Sequence, residues 1–144
     1  MHQLPCDYYV TATAEAAGNV VLKAEDVPQL VTAASVEAGG PGNQWCPELL
    51  LIGALLDGLV VGFSAIARTS EFDWNTVSCR AVGTLDRVDK VNRVTSFQID
   101  MTLRIPAGAD IEKARRLAQK AHEACVIVNS LHAETQLGVE IVED

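Results

Sequence analysis

Paired cysteines, basic clusters and ligand-spaced histidines are all missing from this sequence, and each absence closes a class of function. The four cysteines (Cys6, Cys46, Cys79, Cys125) stand singly, with no CxxC pair, so a zinc site is not expected. Three histidines are present. His122 and His132, near Cys125 and Glu134, fall in no recognised ligand spacing, so neither a metal nor another cofactor is expected. Lysine and arginine total 11 against 19 acidic residues, for a formal net charge of −8. That balance opposes phosphate backbones and removes nucleic acid from the expected partners. The glycine-rich loop GGPG lacks the lysine and the preceding strand of a P-loop, and no Ser-His-Asp arrangement can be justified. The opening MHQLPCDYYV has neither the basic start nor the long apolar run of a secretion signal. A cytoplasmic location with reduced thiols is the expectation.

What is present is apolar. With 144 residues and 49% hydrophobic content, the chain has enough material for one domain with a real core. Residues 43–68, NQWCPELLLIGALLDGLVVGFSAIAR, organise the rest. Pro47 suits the first position of a helix, and Glu48 in the first turn complements the positive end of its dipole. Ala54, Gly58 and Gly62 recur four apart, the small-residue spacing that lets helices touch closely. The spacing predicts a buried central helix packed against another helix, with a copy of itself as one candidate. Asp57 stands alone in the run. It is read either as a buried acid compensated by a partner within a dimer, or as an acid facing a ligand cavity.

A membrane span is the rival for residues 49–67. Asp57 near the bilayer midplane costs about 3 kcal/mol even on the lenient insertion scale. The flanks carry no basic cluster, and the remaining chain reads as amphipathic strands that need a core to cover. No membrane partner is expected.

In chain order, residues 7–14 alternate as a strand, Gly18-Asn19 marks a turn, and residues 19–24 and 29–35 complete an antiparallel meander. A glycine- and proline-rich loop, 37–45, leads into the long helix. Residues 74–88 and 94–105 form a long hairpin, with a bulge near Gly83 and a turn at 90–92. In its second strand Phe97, Ile99, Met101, Leu103 and Ile105 share one face. Asp110 is a plausible N-cap for a helix over 111–124. Cys125 and VIVNSL follow, and residues 136–142 close the chain as a strand. Strand runs separated by helices, with hairpin links rather than crossovers, indicate α+β. No internal repeat is visible.

Three local patterns resemble the OsmC/Ohr superfamily of osmotically inducible and organic-hydroperoxide-resistance proteins. The loop entering Pro47-Glu48-Leu49 and its apolar helix is similar to that family's central-helix start. VGTLDRVDKVNR, 82–93, resembles the strand and turn after it. AHEACVIVNSL, 121–131, resembles the second cysteine motif. The resemblance implies an OsmC-like fold in which antiparallel sheets enclose long central helices in an intertwined homodimer. It also implies a thiol peroxidase site, where a first cysteine attacks an organic hydroperoxide and a second closes a disulfide.

On that pattern Cys125 and Glu48 match the site, and the attacking cysteine falls eleven residues after Pro47, at Gly58. Glycine offers no nucleophile, and the adjacent Asp57 cannot reduce a peroxide. The arginine expected in the first hairpin has no counterpart; between Asp7 and Glu25 the only basic residue is Lys23. Cys46 lies twelve residues before Gly58, roughly 18 Å along a helix, so it cannot stand in the same place. Three readings follow. The chain is a diverged member that binds a small apolar ligand, a peroxidase using Cys125 with another cysteine such as Cys46, or a structural or regulatory dimer. Glu48 and Cys125 also have plain structural readings, as a dipole-complementing residue and a buried thiol.

Overall fold

The computed structural model describes residues 3–144. Its backbone divides into two compact units, Met1–Leu51 and Ile52–Asp144.

The first unit is a meander of three short antiparallel strands, β1 (Thr11–Ala14), β2 (Val20–Lys23) and β3 (Leu30–Thr32), paired in the order β1-β2-β3. Ala14 faces Val20 across the Gly18-Asn19 turn, closed by the Gly18 N–H on the Glu15 carbonyl at 3.1 Å. The strands are shorter than the alternation suggested, because residues 7–10 and 33–35 lie outside the ladder. A 3-10 turn, Val36–Ala38, then carries the chain to Trp45. There Thr32 bridges Trp45 in parallel, and the Ala33 N–H donates to the Trp45 carbonyl at 2.9 Å. Gly40 is fixed by crowding, since a Cβ there would collide with the Ala34 carbonyl. Thr32, Ala33 and Cys46 are the buried residues of this unit.

Helix α1 (Pro47–Thr69) starts on Pro47, with Glu48 in its first turn and Arg68 in its last. Both charges oppose the helix dipole favourably. The helix was expected to be buried. Within the chain only one stripe is: Leu55, Leu59, Phe63 and Ala67, spaced four apart. Leu49 and Val61 remain 48% and 62% exposed. Among the described residues α1 is the one helix long and apolar enough to cross a membrane, and 17% of its apolar window is buried.

The second unit contains most of α1 and a sheet ordered β4-β5-β6. β4 (Thr76–Val88) and β5 (Val91–Ile105) form the long hairpin. Its turn is Asp89-Lys90, both at positive φ (52° and 67°), one residue earlier than expected. A two-residue loop needs positive φ at both positions to match the strand twist, and Asp-Lys is not among the residue pairs that advertise it. The register shifts between Thr84 and Leu85, beside the expected bulge. Gly83 leaves room on the sheet, since a Cβ there would lie 3.1 Å from both Ile52 Cδ1 and Phe97 Cε1. The five alternate apolar residues of β5 are all buried.

Asp110 caps α2 (Ile111–Ala124) by accepting the Lys113 N–H at 3.0 Å. A short α3 (Val126–Ser130) leads to β6 (Glu134–Glu143). Here the expectation of hairpin links fails: β6 pairs with β5 in parallel, Ile99 opposite Leu137 and Met101 opposite Val139. Parallel neighbours require a crossover, and residues 106–133, holding α2 and α3, supply it. Alternation alone reads the same in either direction, so the strand pattern did not reveal this. Arg115 Nη1 donates to the Val139 carbonyl at 2.9 Å, and His122 Nε2 lies 2.9 Å from Thr135 Oγ1. Both tie α2 to the strand that follows it.

Candidate functional site

Cys125 sits where α2 stops and α3 begins. Its φ and ψ are −65° and 120°, extended rather than helical, so the residue serves as C-cap of one helix and N-cap of the next. Its N–H donates to the His122 carbonyl at 3.3 Å, and its carbonyl accepts the Asn129 N–H at 3.0 Å. The chain around it is further pinned by Asn129 Nδ2 on the Glu123 carbonyl at 3.1 Å and Ser130 Oγ on the Val126 carbonyl at 2.7 Å. The thiol is therefore held in a defined place, 4% exposed.

Gly58, three turns into α1, faces that thiol. A Cβ built on Gly58 would stand 3.4 Å from Cys125 Sγ and 3.1 Å from Ile127 Cγ1. An S–S bond is about 2.05 Å long, so a sulfur carried on a carbon 3.4 Å from Cys125 Sγ comes within reach of it. The structure thus brings together two of the sequence-derived positions, one with sulfur and one without.

The other nominated residues lie elsewhere. Asp57 is exposed on the single chain. It follows Leu55 by two residues, about 200° around the helix, and so points away from the buried stripe. Burial within this chain, one basis for suspecting a perturbed acid, does not occur. Glu48 is exposed in the first turn of α1, and Cys46 is 5% exposed immediately before it, its carbonyl accepting the Leu50 N–H at 2.9 Å. Both belong to the first unit. The small-residue face of α1 is uneven. Gly58 is tightly approached, whereas a Cβ on Gly62 would meet nothing within 4 Å.

Of the remaining thiols, Cys79 points inward from β4, and burial pushes its pKa above the usual thiol value of 9.0. It stays protonated and unreactive at neutral pH. Cys6 is exposed. No group of three or more His, Cys, Asp or Glu side chains among the described residues could hold a metal ion.

Two features escaped the sequence. Ile127 stands against Gly58 because α2 breaks at Cys125, and no periodicity announces where a helix break will aim the next side chain. The first unit also carries an apolar hollow of about 420 Å³. It is lined by Val20, Leu22, Thr32, Ala33, Ala34, Pro47 and Leu50. Its walls come from two strands, a loop and the helix start, which only the folded chain assembles.

Solved structures resemble this chain over nearly its whole length. An OsmC-like protein from Mycoplasma pneumoniae superposes with a TM-score of 0.84 at 12% identity, covering 97% of this chain and 100% of its own. An organic hydroperoxide resistance protein OsmC from Legionella pneumophila gives 0.71 at 18% identity, covering 97% and 99%. An organic hydroperoxide resistance protein from Elizabethkingia anophelis, with crystallant-derived thiocyanate bound, gives 0.72 at 17% identity, covering 98% and 100%. At these identities the likeness is one of fold. No curated protein matches the sequence significantly. The sequence model of the OsmC-like proteins, however, matches residues 40–140, and this chain belongs to the OsmC-like family.

Proposed function

We propose that this protein is a single-domain OsmC-like homodimer of the cytoplasm that has kept one half of a two-thiol site and lost the other. It does not turn over hydroperoxides in the ordinary way, and it binds a small apolar molecule instead. The observation that carries the reading is the glycine at position 58 facing the Cys125 sulfur. Peroxide reduction begins with a thiolate attacking the O–O bond, and the residue placed to do so has no side chain. Cys125 is then a resolving thiol with nothing to resolve. The apolar hollow in the first unit favours ligand binding over a purely structural role, since apolar concavities with few polar groups are the usual form of small-molecule sites. Family membership and the hydroperoxide-resistance proteins among its structural neighbours make a lipid-like or hydroperoxide-like molecule the natural class to try. The exposed apolar side of α1 favours assembly with a second copy.

The test is consumption of cumene hydroperoxide with a dithiol donor, run alongside thermal-shift measurements with medium- and long-chain fatty acids. Negligible turnover and a fatty-acid-dependent rise in melting temperature are expected. Robust turnover by the native protein would overturn the proposal. If Cys46→Ser then abolished that turnover, the substitute-pair reading would replace it.

A further inference from the structure

We infer that the hollow beside β3 selects apolar molecules carrying one neutral oxygen, an alcohol or a carbonyl, and that the Thr32 hydroxyl receives that oxygen. This rests on the ligand-binding reading of the hollow, and it assigns the head group that the ligand must carry.

Thr32 stands opposite Val20 in the β2–β3 ladder, and Leu30 stands opposite Leu22. Val20, Leu22 and Thr32 therefore lie on one face of the meander. That face forms one wall of the hollow, and Pro47 and Leu50 at the start of α1 form another. All of these residues belong to the first unit. Thr32 is the one polar side chain in the lining; the rest are valine, leucine, alanine and proline. At 4% exposure it is also the one buried polar residue among the described residues. Its hydroxyl makes no hydrogen bond to another described residue. Every fully enclosed side-chain oxygen or nitrogen among the described residues has a partner, so this oxygen keeps an opening, and the hollow that it lines supplies one. A hydroxyl largely withdrawn from water without a partner is costly, and a ligand oxygen set against it offsets that cost. A hydroxyl both donates and accepts, so an alcohol or a carbonyl serves equally.

Charge decides which oxygen. Residues 1–51 hold six carboxylates, Asp7, Glu15, Glu25, Asp26, Glu37 and Glu48, against one lysine, Lys23, and no arginine. Lys23 follows Leu22 on β2 and so points to the opposite face. The positive end of α1 already has Glu48 in its first turn. An ionised head group in the hollow would meet a hydroxyl but no countercharge, and an unpaired charge is far costlier to bury than a neutral oxygen. The volume of about 420 Å³ lies in the lower part of the usual range for small-molecule sites, about 300–1,000 Å³.

The experiment measures octan-1-ol and octanoate binding at pH 7.5 by titration calorimetry to the native protein, T32V and T32S, with thermal melting as the check on folding. Valine keeps the branched shape and removes the hydroxyl, whereas serine keeps the hydroxyl. The native protein is expected to bind octan-1-ol about ten-fold or more tightly than octanoate. T32V is expected to bind octan-1-ol about three- to ten-fold more weakly than the native protein, the usual worth of one neutral hydrogen bond, and T32S is expected to stay close to native. An alcohol held no better than the carboxylate, or T32V as tight as native, would overturn the inference and leave ligand binding standing. An equal loss in T32S and T32V would assign the effect to the shape of the wall and overturn it as well. No binding of either probe by the folded native protein would bring down the ligand-binding reading, and this inference with it.

Discussion

Helices α1 and α2 solve the same packing problem to different degrees. α2 is finished within the chain: Ala114, Leu117, Ala118 and Ala121 are buried, while Glu112, Arg115, Arg116, Gln119 and Lys120 face water. α1 is apolar round most of its circumference, Asp57 being the exception midway along it, yet buries only Leu55, Leu59, Phe63 and Ala67 and leaves Leu49 and Val61 open. An amphipathic helix needs one neighbour, and a helix apolar on every side needs several. The difference teaches that α1 carries more apolar surface than its own chain covers, and the proposed homodimer is the simplest source of the rest.

The comparison can be broken at the inner face of α1 first. Phe63 is fully buried, and its ring meets Trp74 edge-on at 5.5 Å. Phe63→Ala should cost about 3–5 kcal/mol of stability in chemical denaturation. A loss near zero would mean that even this stripe is not a core.

A subtler strike falls on the outer face. Val61→Lys places a charge on the exposed side of α1, and Arg116→Glu does the same on the exposed side of α2. Under the homodimer proposal, the first should halve the mass measured by light scattering, and the second should leave it unchanged. Identical behaviour of the two variants would erase the distinction between the helices.

The smallest effect concerns the tie between α2 and β6. Burial lowers the His122 pKa below its ordinary value of 6.5, partly offset by Glu123. The folded state therefore takes up a proton less readily than the unfolded one. The His122 contribution is present above pH 6.5 and declines as pH falls through the unfolded and then the folded value. Urea midpoints compared at pH 7.5 and 5 should drop more for the native protein than for His122→Gln. An equal drop in both would show that other groups carry the acid sensitivity.

The candidate site was legible where a residue type alone decides chemistry. Gly58 has no thiol in any fold, and counting from Pro47 nominated it as the position on which the proposed function rests. Its closeness to Cys125 came out of the fold, because residues 58 and 125 meet only through the break between α2 and α3. The approach of Ile127 to Gly58 was invisible for the same reason. Asp57 drew suspicion from its apolar neighbours in sequence, yet helix geometry turns residues two apart to opposite sides, and it faces outward.

By itself the sequence determined the elements. Period-2 alternation marked β5, a proline and an acid marked the start of α1, and Asp110 marked the start of α2, because each signal acts within a few residues of itself. Tertiary structure alone decided that β6 runs parallel to β5, that the Asp89-Lys90 loop is tight, and that Gly58 lies against Cys125 and Ile127. Those outcomes depend on which distant groups compete for the same space, and local pattern holds no record of that competition.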